Sequence, residues 1–146
     1  MSGTPQAKPP RPVLLDTCAA IWLANGDRLS DASRIAIAAA QKASDGVFIS
    51  PITAWEIGSL CARNRLRLSL EPAEWFDRLL RLPGIRVSPM TPNVLIASNF
   101  LPGLPPNDPA DRIIAATARA NGYTLITRDR LLIAYAEAGY LDLVRC

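Results

Sequence analysis

Four stretches of this 146-residue chain set a carboxylate against an apolar segment: "LLDT" (14–17), "TAWEIG" (53–58), "DPADRIIAATA" (108–118) and "LITRD" (125–129). A charge beside buried chain costs desolvation unless a cation or a hydrogen-bond donor meets it. The chain has no histidine. That excludes imidazole acid–base catalysis, Ser-His-Asp and Cys-His nucleophiles and His-ligated zinc. The chemistry left to these residues runs through carboxylates, hydroxyls, arginines or a metal bound by oxygen.

Taken singly, each acid also has an ordinary structural reading. Asp16 ends an apolar run before a helix and could serve only as an N-cap, and Asp129 could cap a loop. Glu56 lies on a helical wheel between Ile52 and Leu60, in a helix apolar nearly all round, where Arg63 is the structural alternative as ion-pair partner. Asp108 and Asp111 have N-cap and N3 spacing around Pro109, which makes Asp108 the cap. Asp111 shares a face with Ile114, Ala115 and Ala118, small residues suited to packing on a sheet, so it points along the core-facing edge.

The elements that must position these acids alternate. Short apolar strands are expected at 12–15, 46–50, 84–89, 123–127 and 141–144. Helices are expected from Thr17, over 31–43, 51–64, 71–82, 92–101, 108–122 and 130–139. Strands that read as continuous apolar runs between helices argue for a parallel sheet covered on both faces. Ligands of such folds bind at the carboxyl ends of the strands, where Asp16, Asp111 and Asp129 fall and toward which Glu56 can point. Four converging carboxylates repel one another without a counter-ion. The economical one is a hard divalent cation held by oxygen, Mg2+ or Mn2+.

Length and a 49% hydrophobic content suit one packed domain over 13–146, preceded by a proline-rich tail, 1–12, read as flexible. No apolar run approaches the roughly 20 residues of a membrane span, and no signal peptide opens the chain, so a cytoplasmic location is expected. Three cysteines, Cys18, Cys61 and Cys146, are too scattered for a disulfide or metal pattern. Net charge is only +3, yet Lys8 and Lys42 are the sole lysines among 16 basic residues. Arginine forks suit phosphate, although a GC-rich genome gives the same bias.

The elements "LLDT" (14–17), "ISPITAWEIGSL" (49–60), "DPADRIIAATA" (108–118) and "LITRD" (125–129) resemble, in order and spacing, the PIN-domain ribonucleases, and among them the VapC-type toxins of toxin–antitoxin pairs. The resemblance implies an α/β three-layer sandwich, a parallel five-stranded sheet flanked by helices. It implies Mg2+- or Mn2+-dependent endonuclease action on RNA, with Asp16, Glu56, Asp111 and Asp129 as catalytic metal-binding acids. It also implies a homodimer and a cognate antitoxin. Thr17, Thr127 and Asp108 are candidates to support metal or water, with capping as the alternative. Arg63, Arg65, Arg67 and Arg112 are candidates for RNA phosphates or an antitoxin, with a solvated basic edge as the alternative. A non-catalytic PIN-like module binding protein or RNA is the rival reading. A haloacid-dehalogenase-type phosphatase would need an acid where Cys18 stands, and a receiver domain would need a late lysine.

Overall fold

The computed structural model describes residues 11–43 and 46–146. The expected tail falls almost wholly outside the described residues. Twelve elements follow one another: β1 (Val13–Leu15), α1 (Thr17–Asn25), α2 (Asp31–Lys42), β2 (Val47–Ile49), α3 (Pro51–Ala62), α4 (Pro72–Leu80), β3 (Ile85–Val87), α5 (Pro92–Ala97), α6 (Pro109–Asn121), β4 (Thr124–Thr127), α7 (Arg130–Glu137) and β5 (Asp142–Arg145).

The five strands form one parallel sheet in the order β3-β2-β1-β4-β5. β1 is central and wholly buried, which is why it is plain "VLL". Its residues serve opposite faces. Val13 and Leu15 pack with Ile37, Ile57, Trp75 and Leu79 beneath α1 to α4. Leu14 packs with Leu125, Ile114 and Leu132 beneath α6 and α7. The expected three-layer sandwich is therefore present.

Strand order reverses between β1 and β4, because chain leaving β3 must cross the sheet before it adds β4 beyond β1. Such a switch point opens a crevice at the carboxyl ends of the two strands. The register pairs Leu15 with Ile126, and the Asp16 amide donates to the Ile126 carbonyl at 3.1 Å. Asp16 and Thr127 thus leave the sheet side by side at that crevice.

Several helices end earlier than their apolar patterns suggest. The expected helix 92–101 stops at Ala97, because the Ser98 hydroxyl and the Asn99 amide both turn back onto the Leu95 carbonyl, and Pro102 follows. The helix expected to 64 stops at Ala62, and Asn64 takes a left-handed φ of 57°. Within α4, Trp75 and Leu79 are buried, whereas Leu82 lies beyond the helix and is 40% exposed. Among the described residues, no helix is long and apolar enough to cross a membrane.

Candidate active site

Asp16 is the N-cap of α1. Its Oδ1 accepts from the Ala19 amide at 2.8 Å, and its Oδ2 accepts the Thr127 hydroxyl. The capping reading is thus correct, but it uses only part of the group. A carboxylate has about four acceptor lobes, so both oxygens keep capacity for a further ligand. Burial, only partly offset by these bonds, raises its pKa.

Glu56 stands in the second turn of α3, whose N-terminus is set by the Ser50 hydroxyl cap and Pro51. Its partner is not Arg63. The Thr17 hydroxyl donates to Glu56 Oε1 at 2.5 Å, and the Thr53 hydroxyl, 3.2 Å from that of Thr17, completes the chain. Thr17 has one proton and gives it to Glu56, so Thr53 must donate to Thr17. Burial raises the Glu56 pKa despite this bond, and the charges of Asp108 and Asp16 push the same way.

Asp108 caps α6, its Oδ2 accepting from the Asp111 amide at 3.0 Å. The Asp111 side chain projects into the crevice. Its pKa is raised from 3.8 to about 7, first by burial and then by the charges of Asp129, Asp108, Glu56 and Asp16. Asp129 caps α7 by accepting from the Leu132 amide at 2.9 Å, and its own amide donates to Thr127 Oγ1 at 3.0 Å. Thr127 therefore ties the first acid to the last.

A cavity of about 290 Å³ gathers Asp16, Thr17, Glu56, Asp111 and Asp129 on its walls. Four acids that are remote in sequence thus share one opening, each delivered by a different element boundary or helix. Cys18 also faces it, but burial and the surrounding carboxylates lift its thiol pKa to about 11. A thiol held protonated in this way is a poor nucleophile.

The arginines divide. Arg63, Arg65 and Arg67 are exposed in the segment after α3. Arg112 is turned inward: its Nε donates to the Ser98 carbonyl at 2.9 Å and its Nη1 to the Pro106 carbonyl at 3.1 Å. It ties the 98–106 loop to α6. Sequence reasoning passed over two residues of the cavity wall, Trp22 and Arg128, and the positioning hydroxyl of Thr53. Trp22 was masked by a helix apolar on every side, and Arg128 by an arginine-rich chain.

A family model for the PIN domain matches residues 13–138. The chain belongs to the PIN domain family. This PIN domain is 36% identical over 121 residues to ribonuclease VapC22 of Mycobacterium tuberculosis, an alignment covering 82% of this chain and 88% of that protein. Its fold is similar to a chain in the crystal structure of VapBC2 from Rickettsia felis bound to a DNA fragment from their promoter. The TM-score is 0.64 at 17% identity, covering 92% of this chain and 98% of the other. The resemblance drawn from four short motifs is borne out over most of the domain.

Apart from the Cys18 thiol, held protonated, the donors at the PIN crevice are oxygen, which suits a hard divalent cation over a soft one. Among the described residues, no three Asp, Glu or Cys side chains form a ready-made metal-holding group. Mg2+ does not need one, because it keeps several of its waters and takes one or two carboxylates directly. The elevated pKa of Asp111 comes first from burial and then from the neighbouring carboxylates, whose charge a cation would offset. The oxygen donors suit such an ion, which Asp16, Glu56, Asp111 and Asp129 would hold directly or through its waters.

Proposed function

We propose that the chain is a Mg2+- or Mn2+-dependent endoribonuclease, the toxin of a toxin–antitoxin pair, acting in the cytoplasm. One observation carries this reading: four carboxylates line a single crevice at the β1–β4 switch point, with the Asp111 pKa raised to about 7 first by burial and then by the neighbouring carboxylates. The ribonuclease VapC22 relative supports RNA as the substrate, and the likeness to a chain of VapBC2 is in keeping with an antitoxin partner.

When bound, the cation supplies Lewis acidity toward the phosphodiester and acidifies a water for in-line attack. The chain's residues hold and orient. Thr127 and the Ala19 amide fix the Asp16 carboxylate, and Thr17, backed by Thr53, fixes Glu56. A bound cation would favour the ionised form of Asp111 against the burial and the neighbouring charges that raise its pKa. Asp129, fastened at the start of α7, closes the crevice on the β4 side.

A homodimer fits the surface left by α5 and the loop after it. Ile96 is 59% exposed, Phe100 81% and Leu104 94%. The α4 helix, by contrast, spends Trp75 and Leu79 on its own core.

The test is cleavage of purified RNA with Mg2+ or Mn2+, with and without EDTA, beside Asp16→Asn. Cleavage that needs the ion and vanishes in the variant is expected. Binding of RNA with no cleavage under any divalent ion would favour the non-catalytic module instead.

A further inference from the structure

One cation stands on the wall of the acidic cavity. Arg128, between Thr127 and Asp129, lines the cavity together with the four acids, yet it pairs with none of them: among the described residues no aspartate or glutamate makes a salt bridge to it. Its guanidinium lies instead over the indole of Trp22, 3.9 Å from the ring centroid, and its Nε donates to the Cys146 carbonyl at 2.8 Å. Trp22 is itself anchored, packed from α1 against the core.

This seat takes up one face and one edge of a planar group. The Nε proton is used, and the indole covers a face. Among the described residues neither Nη nitrogen bonds an aspartate or glutamate, although the Arg128 side chain also meets the Cys146 thiol. The remaining Nη protons form an edge that can donate to two oxygens of one anion, the geometry arginine offers to phosphate. Stacking on Trp22 holds that edge in place before any ligand arrives, so little side-chain entropy remains to be lost on binding.

The charge of the cavity gives this edge its use. An RNA strand is a polyanion, and four carboxylates on one wall oppose its entry. A single bound divalent ion offsets about half of their charge. A fixed guanidinium on the same wall supplies attraction at a point the acids do not neutralise. We propose that Arg128, seated on Trp22 and the Cys146 carbonyl, binds the RNA phosphate that enters the acidic cavity. The assignment rests on the nuclease reading above. It adds a substrate-binding group to a centre otherwise made of acids and hydroxyls.

The experiment measures binding separately from cleavage. In an Asp111→Asn background, affinity for a labelled single-stranded RNA of mixed sequence is titrated across salt concentrations in the presence of Mg2+. Arg128→Ala is expected to weaken binding about tenfold or more, the size of a charge-assisted hydrogen-bond pair. The slope of log affinity against log salt should become shallower by about 0.7, one single-strand phosphate contact. Arg128→Lys keeps the charge without the fork and should fall between. Trp22→Phe, which keeps a smaller ring, should lose less than Arg128→Ala. Arg81→Ala removes the same charge from an exposed position beyond α4 and should change affinity by about twofold or less, because remote charges are screened. Thermal melts confirm that each variant folds. A loss in Arg128→Ala no greater than in Arg81→Ala overturns the assignment. Absence of cleavage by the unmutated chain, with the binding order kept, overturns the nuclease reading and leaves the Arg128 site standing.

Discussion

The hydroxyl of Thr127, at the end of β4, donates to the carboxylate of Asp16, at the end of β1, and accepts the backbone amide of Asp129. Thr127 is fully buried. Thr127→Val keeps the shape and strands both partners, so a stability loss of about 1–3 kcal/mol is expected in thermal or urea melts. The bond to Thr127 now lowers the Asp16 pKa against the opposing effect of burial. Without it the Asp16 pKa rises, and the acid limb of the metal-dependent activity profile should move to higher pH. An unmoved limb would confine Thr127 to the fold.

Asp108 and Asp111 lie three residues apart and should separate by role. Asp108→Asn keeps an acceptor for the Asp111 amide and should cost less than ~1 kcal/mol, with most activity retained. Asp111→Asn should collapse RNA cleavage, because the group faces the cavity with the other acids. If Asp108→Asn is inactive and Asp111→Asn cleaves normally, the roles are reversed.

Metal-free stability should fall as pH rises. The Asp111 carboxyl is raised to about 7 in the fold from its ordinary 3.8, so between those limits the folded protein binds more protons than the unfolded chain. Linkage then makes stability greatest below about 4, with a decline through about 7 and no further change from this group above it. Comparing wild type with Asp111→Asn isolates the effect: the variant should be the more stable of the two at pH 8 in EDTA, and the gap should close near pH 4. A wild type that is more stable at pH 8 in EDTA contradicts the repulsion argument. Adding Mg2+ should raise the wild-type melting temperature most at high pH, where the acids are ionised.

Phe100, 81% exposed just after α5, should report on self-association. Phe100→Asp is expected to leave the melting temperature of the fold within about a degree or two, since it removes little buried surface. It should shift the molecular mass in light scattering from dimer to monomer. Equal masses for both proteins would place the contact elsewhere.

Apart from Glu56, which lies within α3, the acids were legible in the sequence because each sits at a junction that chain chemistry marks. Asp16 follows an all-apolar strand, Asp108 and Asp111 bracket Pro109, and Asp129 comes two residues after β4. The sheet was legible for the same reason, since strands buried on both faces have no polar phase to obscure them. Helix ends were less so: α5 ends where Ser98 and Asn99 fold back onto Leu95, a choice their composition permits and does not require. Contacts across long separations left no local trace. Nothing in "TRDR" distinguishes Arg128, stacked on Trp22, from Arg130, and nothing in "DPADR" shows Arg112 bound to carbonyls of a preceding loop. The Thr53 hydroxyl behind Thr17 was equally silent.

Because β4 inserts beside β1, the centre has a birth order on the ribosome. Asp16 and Glu56 are synthesised early, but Thr127 and Asp129 come more than a hundred residues after Asp16. Domains fold largely as units once their chain is out, and a pairing this distant waits for its second strand. A nascent chain stalled before Thr124 carries Asp16, Glu56 and Asp111 but neither Thr127 nor Asp129, and no crevice. The growing polypeptide, surrounded by ribosomal and messenger RNA, therefore stays harmless to its own template until its last fifth has emerged.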